Sequence, residues 1–263
     1  MKKFLTGITV CFNSSEVIIN LLNSIKEVLN NEIEWIIVDS GSKDKTPSIL
    51  KKIKNIKIFL FKKNIGFSKG NNFAFKFSMG EYVFFCNPDI SFDKSNFERI
   101  INELKKYKPL ILVPLLRKDD KYYYFLRALP SIENILRFRW HKGIIKKVEK
   151  IQPAFSAIFL KREVFEKLFG FDEKFFVYFT DVEFFKRFYN KGFKVKDIYF
   201  SKNYFSHKGS SILLSRKNEF LKKFDFARGF LIYFLKYGNL IEKNFSIFLF
   251  IFLLLRAFYY YFK

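Results

Sequence analysis

"TGITVCFNSSEVIINLLNSIKEVLNNEIEWIIVDS", residues 6–40, contains the pattern that decides the fold. It opens with "GITVCF", an uncharged run rich in β-branched residues, which is typical of a buried strand. A second apolar run, "EWIIVDS", closes the stretch. Between them one helical face is formed by Val17, Ile18, Leu21, Leu22, Ile25 and Val28. Strand, helix and strand in this order predict two parallel strands joined by a crossover helix.

The same alternation continues along the chain. "IKIFLF" (56–61) and "YVFFC" (82–86) predict a third and a fourth strand. Asn13 and Glu16 have the spacing of a capping box for the first helix, and Thr46 followed by Pro47 predicts the start of the second. We therefore expect an α/β fold with a mostly parallel sheet and helices on both of its faces.

The second half of the chain is less regular. "PLILVPLL" (109–116) is strand-like, "KDDKYYYFLRALP" (118–130) fits a hairpin, and residues 131–150 are basic without a clear period. We interpret residues 1–210 as one domain and residues 211–263 as a separate helical segment.

Composition limits the class of protein. The chain has 263 residues, 39 of them Phe, so it can bury a substantial core and is not disordered as a whole. Its net charge of +23 has two interpretations: a compositional bias towards Lys, or an anionic partner such as phosphate-rich lipid, nucleic acid or a nucleotide. Cys11 and Cys86 lie in strand-like runs and form no CxxC pair, so we expect neither a zinc site nor a disulfide framework. The apolar part of "MKKFLTGITVCFNSS" is too short for a signal peptide, and we expect a cytoplasmic location.

The segment 211–263 is basic and aromatic, and then almost wholly apolar. Its uncharged run, residues 244–255, is 12 residues long, whereas a membrane-spanning helix needs about 20 apolar residues. Two interpretations remain open. The segment forms amphipathic and apolar helices at a membrane surface, or it packs on its own domain or on a second subunit.

Polar, small residues follow each of the four predicted strands, in "CFNSS", "VDSGSKDKT", "KNIGFSKGNN" and "CNPDI". Ligands of such sheets bind beyond the carboxyl ends of the strands. Asp39 can accept a hydrogen bond from a nucleobase or a ribose there. Asp89 is a lone carboxylate of the kind that holds a divalent cation together with substrate phosphates. Each stretch by itself also fits an ordinary turn.

Taken in order, "CFN", "DSGSKDKT", "NIGFSKGNN", "NPD", "GFDEKFFVYFTDVE" (170–183) and His207 resemble the motifs of family 2 of the inverting glycosyltransferases, in particular its rhamnosyltransferase-like branch. The resemblance covers residues 6 to about 210. It implies a GT-A fold, a nucleotide-diphosphate sugar donor, inversion at the anomeric carbon, and a divalent cation, Mg²⁺ or Mn²⁺.

The resemblance also implies roles for individual residues. Asp181 corresponds to the catalytic base, and Asp89 and His207 to the metal site. The acceptor side would include Asp172, Glu173 and Glu183. The donor-binding positions are Asn13, Asp39, Ser42, Asp44, Asn64, Gly66, Gly70, Asn71 and Asn87. Thr180 and Glu183 depart from the acidic residues that are usual in this motif.

Residues 180–192 also have a purely structural interpretation. Thr180 and Glu183 have the spacing of a capping box, and Gly192 would stop the helix. The buried face of that helix would consist of Val182, Phe185, Phe188 and Tyr189. This interpretation leaves Asp181 without a structural reason.

Two other functions compete with a glycosyltransferase. A nucleotidyltransferase that makes the activated sugar would need a glycine-rich, basic loop after the first strand, which "CFNSSEV" lacks. A basic nucleic-acid-binding protein would need exposed rings among its basic residues, whereas most Phe residues here follow core periodicity. We therefore expect a transferase at the inner face of the plasma membrane, acting on a glycan or a polyprenyl-phosphate-linked acceptor, with no nucleic-acid partner.

Overall fold

The computed structural model describes residues 3–131, 150–209 and 216–262. The strands in these ranges are β1 (Lys3–Cys11), β2 (Ile33–Asp39), β3 (Lys57–Leu60), β4 (Gly80–Cys86), β5 (Ile90–Ser91), β6 (Ile111–Lys118), β7 (Lys121–Tyr123), β8 (Leu126–Ala128), β9 (Ile151–Pro153), β10 (Ala157–Lys161) and β11 (Ile198–His207). The α-helices are α1 (Ile18–Val28), α2 (Thr46–Leu50), α3 (Gly66–Phe75), α4 (Lys94–Tyr107), α5 (Arg162–Lys167), α6 (Thr180–Asn190), α7 (Arg216–Tyr237) and α8 (Leu240–Phe262).

One nine-stranded sheet organises the domain, with strand order β3-β2-β1-β4-β10-β6-β11-β5 and with β7 paired to β6. Strands β1 to β4 are mutually parallel, as the sequence predicts. Beyond them the sheet is mixed, because β10 runs antiparallel to both β4 and β6 while β11 is parallel to β6. The carboxyl ends of β1 to β4 therefore meet at one edge of the sheet.

The hairpin predicted over residues 118–130 is only partly correct. β6 and β7 pair as antiparallel strands around Asp119 and Asp120, and both turn residues have positive φ, as tight hairpin turns require. The rest of the stretch leaves this hairpin, because β8 pairs with β9 in a separate two-stranded sheet. The basic segment 131–150 lies almost wholly outside the described residues.

Side chains alternate between the two faces of the sheet, so helices cover both. In β2, Trp35 and Ile37 pack on the side of α1 and α4. Ile36 and Val38 pack on the side of α3, α5 and α6. This is the two-sided arrangement that the sequence predicts, and every residue of β2 is buried.

Two helix starts differ from the sequence prediction. α1 begins at Ile18 without a side-chain cap, and Asn13 instead accepts a hydrogen bond from the Lys43 amide. α6 has no capping box either. Thr180 bonds to Ser68 of α3, and Glu183 turns towards α7. In both places the side chains bond to partners distant in the chain instead of forming the local cap. The Thr46 start and the Gly192 stop are confirmed.

The C-terminal segment forms the antiparallel pair α7 and α8. α7 packs against the start of α6 through a third apolar cluster, made by Phe175, Phe179, Val182, Phe230, Tyr233 and Phe234. α8 packs on α7 and leaves one face exposed, which we call the outer face of α8 (Leu240, Ile241, Ile247, Phe248, Ile251, Phe252, Leu255 and Phe258). In the described part of the chain, no helix combines the length and the apolarity that crossing a membrane requires.

Candidate active site

The loops after β1 and β2 interlock at the carboxyl edge. Asp39 is only 1% exposed, and its two oxygens accept hydrogen bonds from the Ser42 hydroxyl (2.5 Å) and the Ser42 amide (3.1 Å). Ser42 Oγ also accepts from the Asn13 amide at 2.8 Å. Asp44 accepts from the amides of Ser15 and Thr46 at 2.9 Å each. Four predicted donor-binding residues therefore form one network that shapes these two loops.

The electrostatics of Asp44 follow from that network. Burial by itself would raise the pKa of its carboxyl group, but the hydrogen bonds from Thr46 and Ser15 outweigh burial and lower it. Asp44 is thus held as an anion, and its charge stabilises the loop.

The next loop leads into α3. Ser40 Oγ donates to Asn64 Oδ1 at 2.9 Å and accepts from the Ile65 amide at 2.8 Å. Gly66 has φ +80°, which favours glycine, and a Cβ there would lie 2.5 Å from the Phe176 ring. Asn64 Oδ1 also accepts from the Gly66 amide at 2.9 Å. Asn64 and Gly66 therefore fix the start of α3 against the loop that precedes α6.

Gly70, Asn71 and Asn87 each have a local structural role. A Cβ on Gly70 would lie 2.9 Å from Val10 Cγ1, so glycine lets α3 pack closely on β1. The side chain of Asn71 donates to the Phe67 carbonyl of its own helix, and the backbone N–H of Asn87 donates to the Ser156 carbonyl. All three lie around the carboxyl edge, and their predicted contact with a donor remains a prediction.

Asp89 and His207 are brought together, as predicted for a metal site. Asp89 Oδ2 lies 3.2 Å from His207 Nε2, and Tyr123 Oη lies 2.7 Å from His207 Nδ1. The other oxygen, Asp89 Oδ1, is buried and has no hydrogen-bond partner among the described residues. A bound water or ion would satisfy a buried carboxylate oxygen of this kind, and a hard cation that prefers oxygen ligands fits it.

The protein alone supplies few ligands for a cation. In residues 3–131, 150–209 and 216–262, three or more His, Cys, Asp or Glu side chains are nowhere gathered in a group suited to metal binding. A Mg²⁺ site does not need such a group, because one or two carboxylates act there together with substrate phosphates. Sequence reasoning missed Tyr123, because nothing in "KYYYF" distinguishes it from its neighbours.

Asp181 lies in the first turn of α6. Ser68 Oγ of α3 is 2.8 Å from Thr180 Oγ1, so the start of α6 lies beside the start of α3. Asp181 therefore belongs to the same edge of the sheet as Asp89. Asp181 Oδ1 accepts from the Val182 amide at 2.9 Å, and the residue is partly exposed. Burial nevertheless raises the pKa of Asp181. The hydrogen bond from the Val182 amide and the charge of Arg127 act to lower this pKa but do not outweigh burial.

Asp172 and Glu173 lie on the loop before α6 and differ in exposure. Asp172 forms an ion pair with Lys236 of α7 at 2.8 Å. Burial would raise the pKa of Asp172, but the hydrogen bonds from Lys236 and from the Lys174 amide outweigh it and lower the pKa. Glu173 is exposed and accepts from Asn72 at 3.1 Å. Of the two, Glu173 is the more exposed, whereas Asp172 is half-buried.

Glu183 is fully buried between α6 and α7. Arg187 binds its carboxylate through two nitrogens, at 2.8–2.9 Å. Lys236 Nζ and Tyr237 Oη each donate to Glu183 Oε1 at 2.7 Å. These contacts account for Glu183 as the residue that joins α7 to α6.

The profile of "Glycosyl transferase family 2" matches residues 7–169, more than half of the chain. The chain belongs to glycosyltransferase family 2. Family membership decides between the functions considered above. It favours glycosyl transfer over a nucleotidyltransferase or a nucleic-acid-binding protein.

Among characterised relatives of this glycosyltransferase is the N-acetylglucosaminyl-diphospho-decaprenol L-rhamnosyltransferase of Mycobacterium tuberculosis, 21% identical over 214 residues. The alignment covers 70% of this chain and 69% of the relative. It therefore extends past the region matched by the family profile and includes the neighbourhood of Asp181.

Solved structures confirm the GT-A fold. S. aureus TarS (residues 1–349) has a TM-score of 0.58 and 19% identity, with 87% of this chain and 65% of that chain covered, so this chain spans about two thirds of it. The mannosyltransferase PcManGT from Pyrobaculum calidifontis, solved with GDP-Man and Mn²⁺, has a TM-score of 0.59 and 16% identity. That match covers 99% of this chain and 74% of the mannosyltransferase. At such identities the likeness establishes the fold alone.

Proposed function

We propose that this glycosyltransferase moves a sugar from a nucleotide diphosphate to an acceptor hydroxyl group, with inversion at the anomeric carbon and with Asp181 as general base. The position of Asp181 carries the proposal. Its carboxylate lies at the carboxyl edge of the sheet, is partly exposed, and has a pKa raised by burial. A raised pKa strengthens a carboxylate as a proton acceptor, and a general base of this kind contributes about 10²–10⁴-fold in rate.

The reaction is a single displacement. Asp181 takes the proton of the acceptor hydroxyl group, and the oxygen forms the new bond to the anomeric carbon. The bond from that carbon to the diphosphate breaks on the opposite face, and its electron pair leaves with the diphosphate. Attack and departure on opposite faces invert the configuration.

Asp89 and His207 are the residues that would hold a divalent cation, Mg²⁺ or Mn²⁺. The buried, unpartnered Asp89 Oδ1 supports this assignment. A bound cation supplies charge neutralisation to the departing diphosphate. Tyr123 contacts His207 Nδ1 and so leaves Nε2 facing Asp89.

The interlocked loops after β1, β2 and β3 would form the donor site. Asn13, Asp39, Ser42 and Asp44 shape its first two loops, and Asn64 and Gly66 set the start of α3. Helix N-termini and free backbone amides favour anions, which suits a nucleotide diphosphate. The structural neighbours support such a donor, since TarS has been solved with UDP-GlcNAc and PcManGT with GDP-Man.

Substitution of Asp181 tests the base. Asp181→Asn keeps the size of the side chain but cannot accept a proton, so sugar transfer should fall by at least about 10²-fold. The affinity for the donor should stay unchanged. Asp120→Asn, in the exposed β6–β7 turn, is the matched control and should transfer sugar normally. Wild-type turnover by Asp181→Asn would refute Asp181 as base.

A donor screen tests the metal. Thermal stabilisation by UDP-, dTDP- and GDP-sugars is measured with Mn²⁺ and with a chelator. We expect Mn²⁺ to strengthen donor binding in the wild type and to have little effect in Asp89→Asn. Equal Mn²⁺ dependence in both proteins would remove Asp89 from the metal site.

We further propose that the acceptor is a glycan on a polyprenyl-phosphate lipid and that the enzyme acts at the inner face of the plasma membrane, in cell-surface polysaccharide synthesis. The outer face of α8 supports this: Phe248 is 69% and Leu255 65% exposed. The chain has a net charge of +23, and each Lys or Arg near an anionic surface adds about 1 kcal/mol. The related rhamnosyltransferase has a decaprenol-linked substrate by name.

Vesicle flotation tests the membrane proposal. The full chain should float with vesicles that contain phosphatidylglycerol. The variant Phe248→Glu, Ile251→Glu, Leu255→Glu should not. Phe169→Glu, which changes an exposed apolar residue on another surface, should float like the wild type. If the wild type stays unbound and sediments as a dimer that the triple variant dissociates, the outer face of α8 is a subunit interface instead.

A further inference from the structure

The loop that precedes Asp181, residues 176–179, is held from two sides. On one side the Phe176 carbonyl accepts a hydrogen bond from the Phe67 amide of α3 at 2.7 Å. On the other side, Asp225 of α7 accepts from two successive amides of the loop. Asp225 Oδ2 lies 3.1 Å from the Val177 nitrogen and 3.0 Å from the Tyr178 nitrogen. One carboxylate oxygen thus fixes two peptide groups immediately before the proposed base.

The loop has a conformation that needs such support. Phe179 has φ +67°, a left-handed conformation that is unusual for a bulky residue. Residues held in this way persist only where their surroundings determine them, and they cluster at functional sites. The next residue, Thr180, opens α6, so the bend at Phe179 sets the direction from which Asp181 projects.

The side chains of α7 fit that bend. The ring of Phe179 contacts the rings of Phe226, Phe230 and Tyr233, at centroid distances of 5.4, 5.9 and 6.0 Å. Between them stands Gly229, where a Cβ would lie 2.9 Å from the Tyr178 carbonyl oxygen. α7 therefore approaches the backbone of the loop so closely that a Cβ at this position would force something to shift.

Packing alone would not place a carboxylate here. Burial raises the pKa of Asp225, and the hydrogen bonds from the Tyr178 and Val177 amides act against that rise. An apolar residue would fill the same space without placing a charge in a partly buried site, where Arg228 is 3.8 Å away. The carboxylate adds what an apolar residue lacks, namely two directed bonds to the peptide groups that carry the bend.

We propose that Asp225 is a positioning residue for Asp181 and that α7 is part of the active site. Asp225 fixes the loop 176–179 so that the base meets the acceptor hydroxyl group at the productive distance and angle. This inference rests on the proposed function, because it needs Asp181 to act as base. The C-terminal segment then helps to position the base, in addition to its proposed attachment to the membrane.

The test compares Asp225→Ala with Asp225→Asn in the full chain. Asp225→Ala removes the acceptor of both amides, whereas Asp225→Asn retains an acceptor oxygen at the same place. We expect kcat of Asp225→Ala to fall by about 10²-fold, the size of effect that follows a small displacement of a reacting group. Kd for the donor should remain within about twofold. Asp225→Asn should recover most of kcat. Glu219→Ala, an exposed residue of the same helix, is the control.

Hydrogen exchange supplies a readout that does not depend on turnover. The amides of Val177 and Tyr178 should exchange faster in Asp225→Ala than in Asp225→Asn or the wild type. If Asp225→Ala fails to fold, Gly229→Ala replaces it. Its added methyl group must displace the Tyr178 carbonyl, and it should lower kcat without changing donor affinity.

The possible outcomes separate the inference from the proposed function. Wild-type kcat in Asp225→Ala, alongside an inactive Asp181→Asn, overturns the positioning role and leaves the base intact. Equal losses of kcat in Asp225→Ala and Asp225→Asn, with unchanged exchange at both amides, also overturn it. If Asp181→Asn itself turns over normally, the proposed function fails and the positioning role fails with it.

Discussion

Glu183→Ala should destabilise the protein more than the loss of an ordinary carboxylate would. Glu183 is fully buried, and Arg187, Lys236 and Tyr237 all donate to it. Without the carboxylate, two cations that it now holds face one another across the junction between α6 and α7. Breaking a buried ion pair by removing one partner typically costs about 3–5 kcal/mol.

Other contacts of the two cations reduce this figure. Lys236 keeps its ion pair with Asp172 at 2.8 Å. Arg187 keeps hydrogen bonds to the carbonyl groups of Leu168 and Gly170. We therefore expect a loss of about 3 kcal/mol in the free energy of unfolding, the lower end of that range. For a chain of this size, that corresponds to a fall in Tm of roughly 6–12 °C.

Urea unfolding and thermal unfolding, both followed by circular dichroism, measure the loss. Glu173→Ala is the matched control, because Glu173 is exposed and its bond to Asn72 is the side-chain contact it has in the structure. The control should change stability by no more than about 0.5 kcal/mol. If Glu183→Ala is as stable as Glu173→Ala, the network does not hold α7 on α6, and the structural role assigned to Glu183 is wrong.

Three further predictions concern the same edge of the sheet. Because the pKa of Asp181 is raised, kcat should rise with pH over a range above that of an exposed Asp, and a pH–rate profile measures it. Asp181 binds its proton more tightly in the folded state, so its contribution to stability is present below the unfolded pKa and is lost as pH rises through the folded pKa. Asp181→Asn should therefore raise Tm near pH 7, and the gain should vanish at about pH 3. Gly66→Ala, with φ +80° and a Cβ 2.5 Å from Phe176, should lower both Tm and donor affinity. Gly192→Ala, with φ +89° and open space around its Cβ, should lower the free energy of unfolding by only about 1–2 kcal/mol, the cost of the backbone strain.

The first half of the fold could be predicted because its signals are local. The apolar runs of β1, β2 and β4 are continuous, and the helices between them have one apolar face. The motif loops also fell at the strand ends, where Asp39 and Asp89 lie in the structure. Sequence and structure agree wherever the residues that determine a strand, helix or loop lie close together in the chain.

The contacts between distant segments could not be predicted in this way. Thr180 and Glu183 have the spacing of a cap, but Ser68 and Lys236 compete for them from other helices. Asp225 is not part of a periodic pattern, and the amides that bond to it lie 47 and 48 residues away in the chain. One signal was available: Asp225 stands between two Phe residues in a helix that is mostly basic and aromatic.

The contact of α7 with the loop before α6 has a practical consequence for any test of the proposed membrane attachment. Ending the chain near residue 210 would strip the rings from Phe179 and leave the peptide groups beside it without their acceptor. A shortened protein would then lose turnover for a reason unrelated to lipid. Polar substitutions on the outer face of α8 leave α7 in contact with the loop. They are therefore the better way to separate an effect on membrane binding from an effect on turnover.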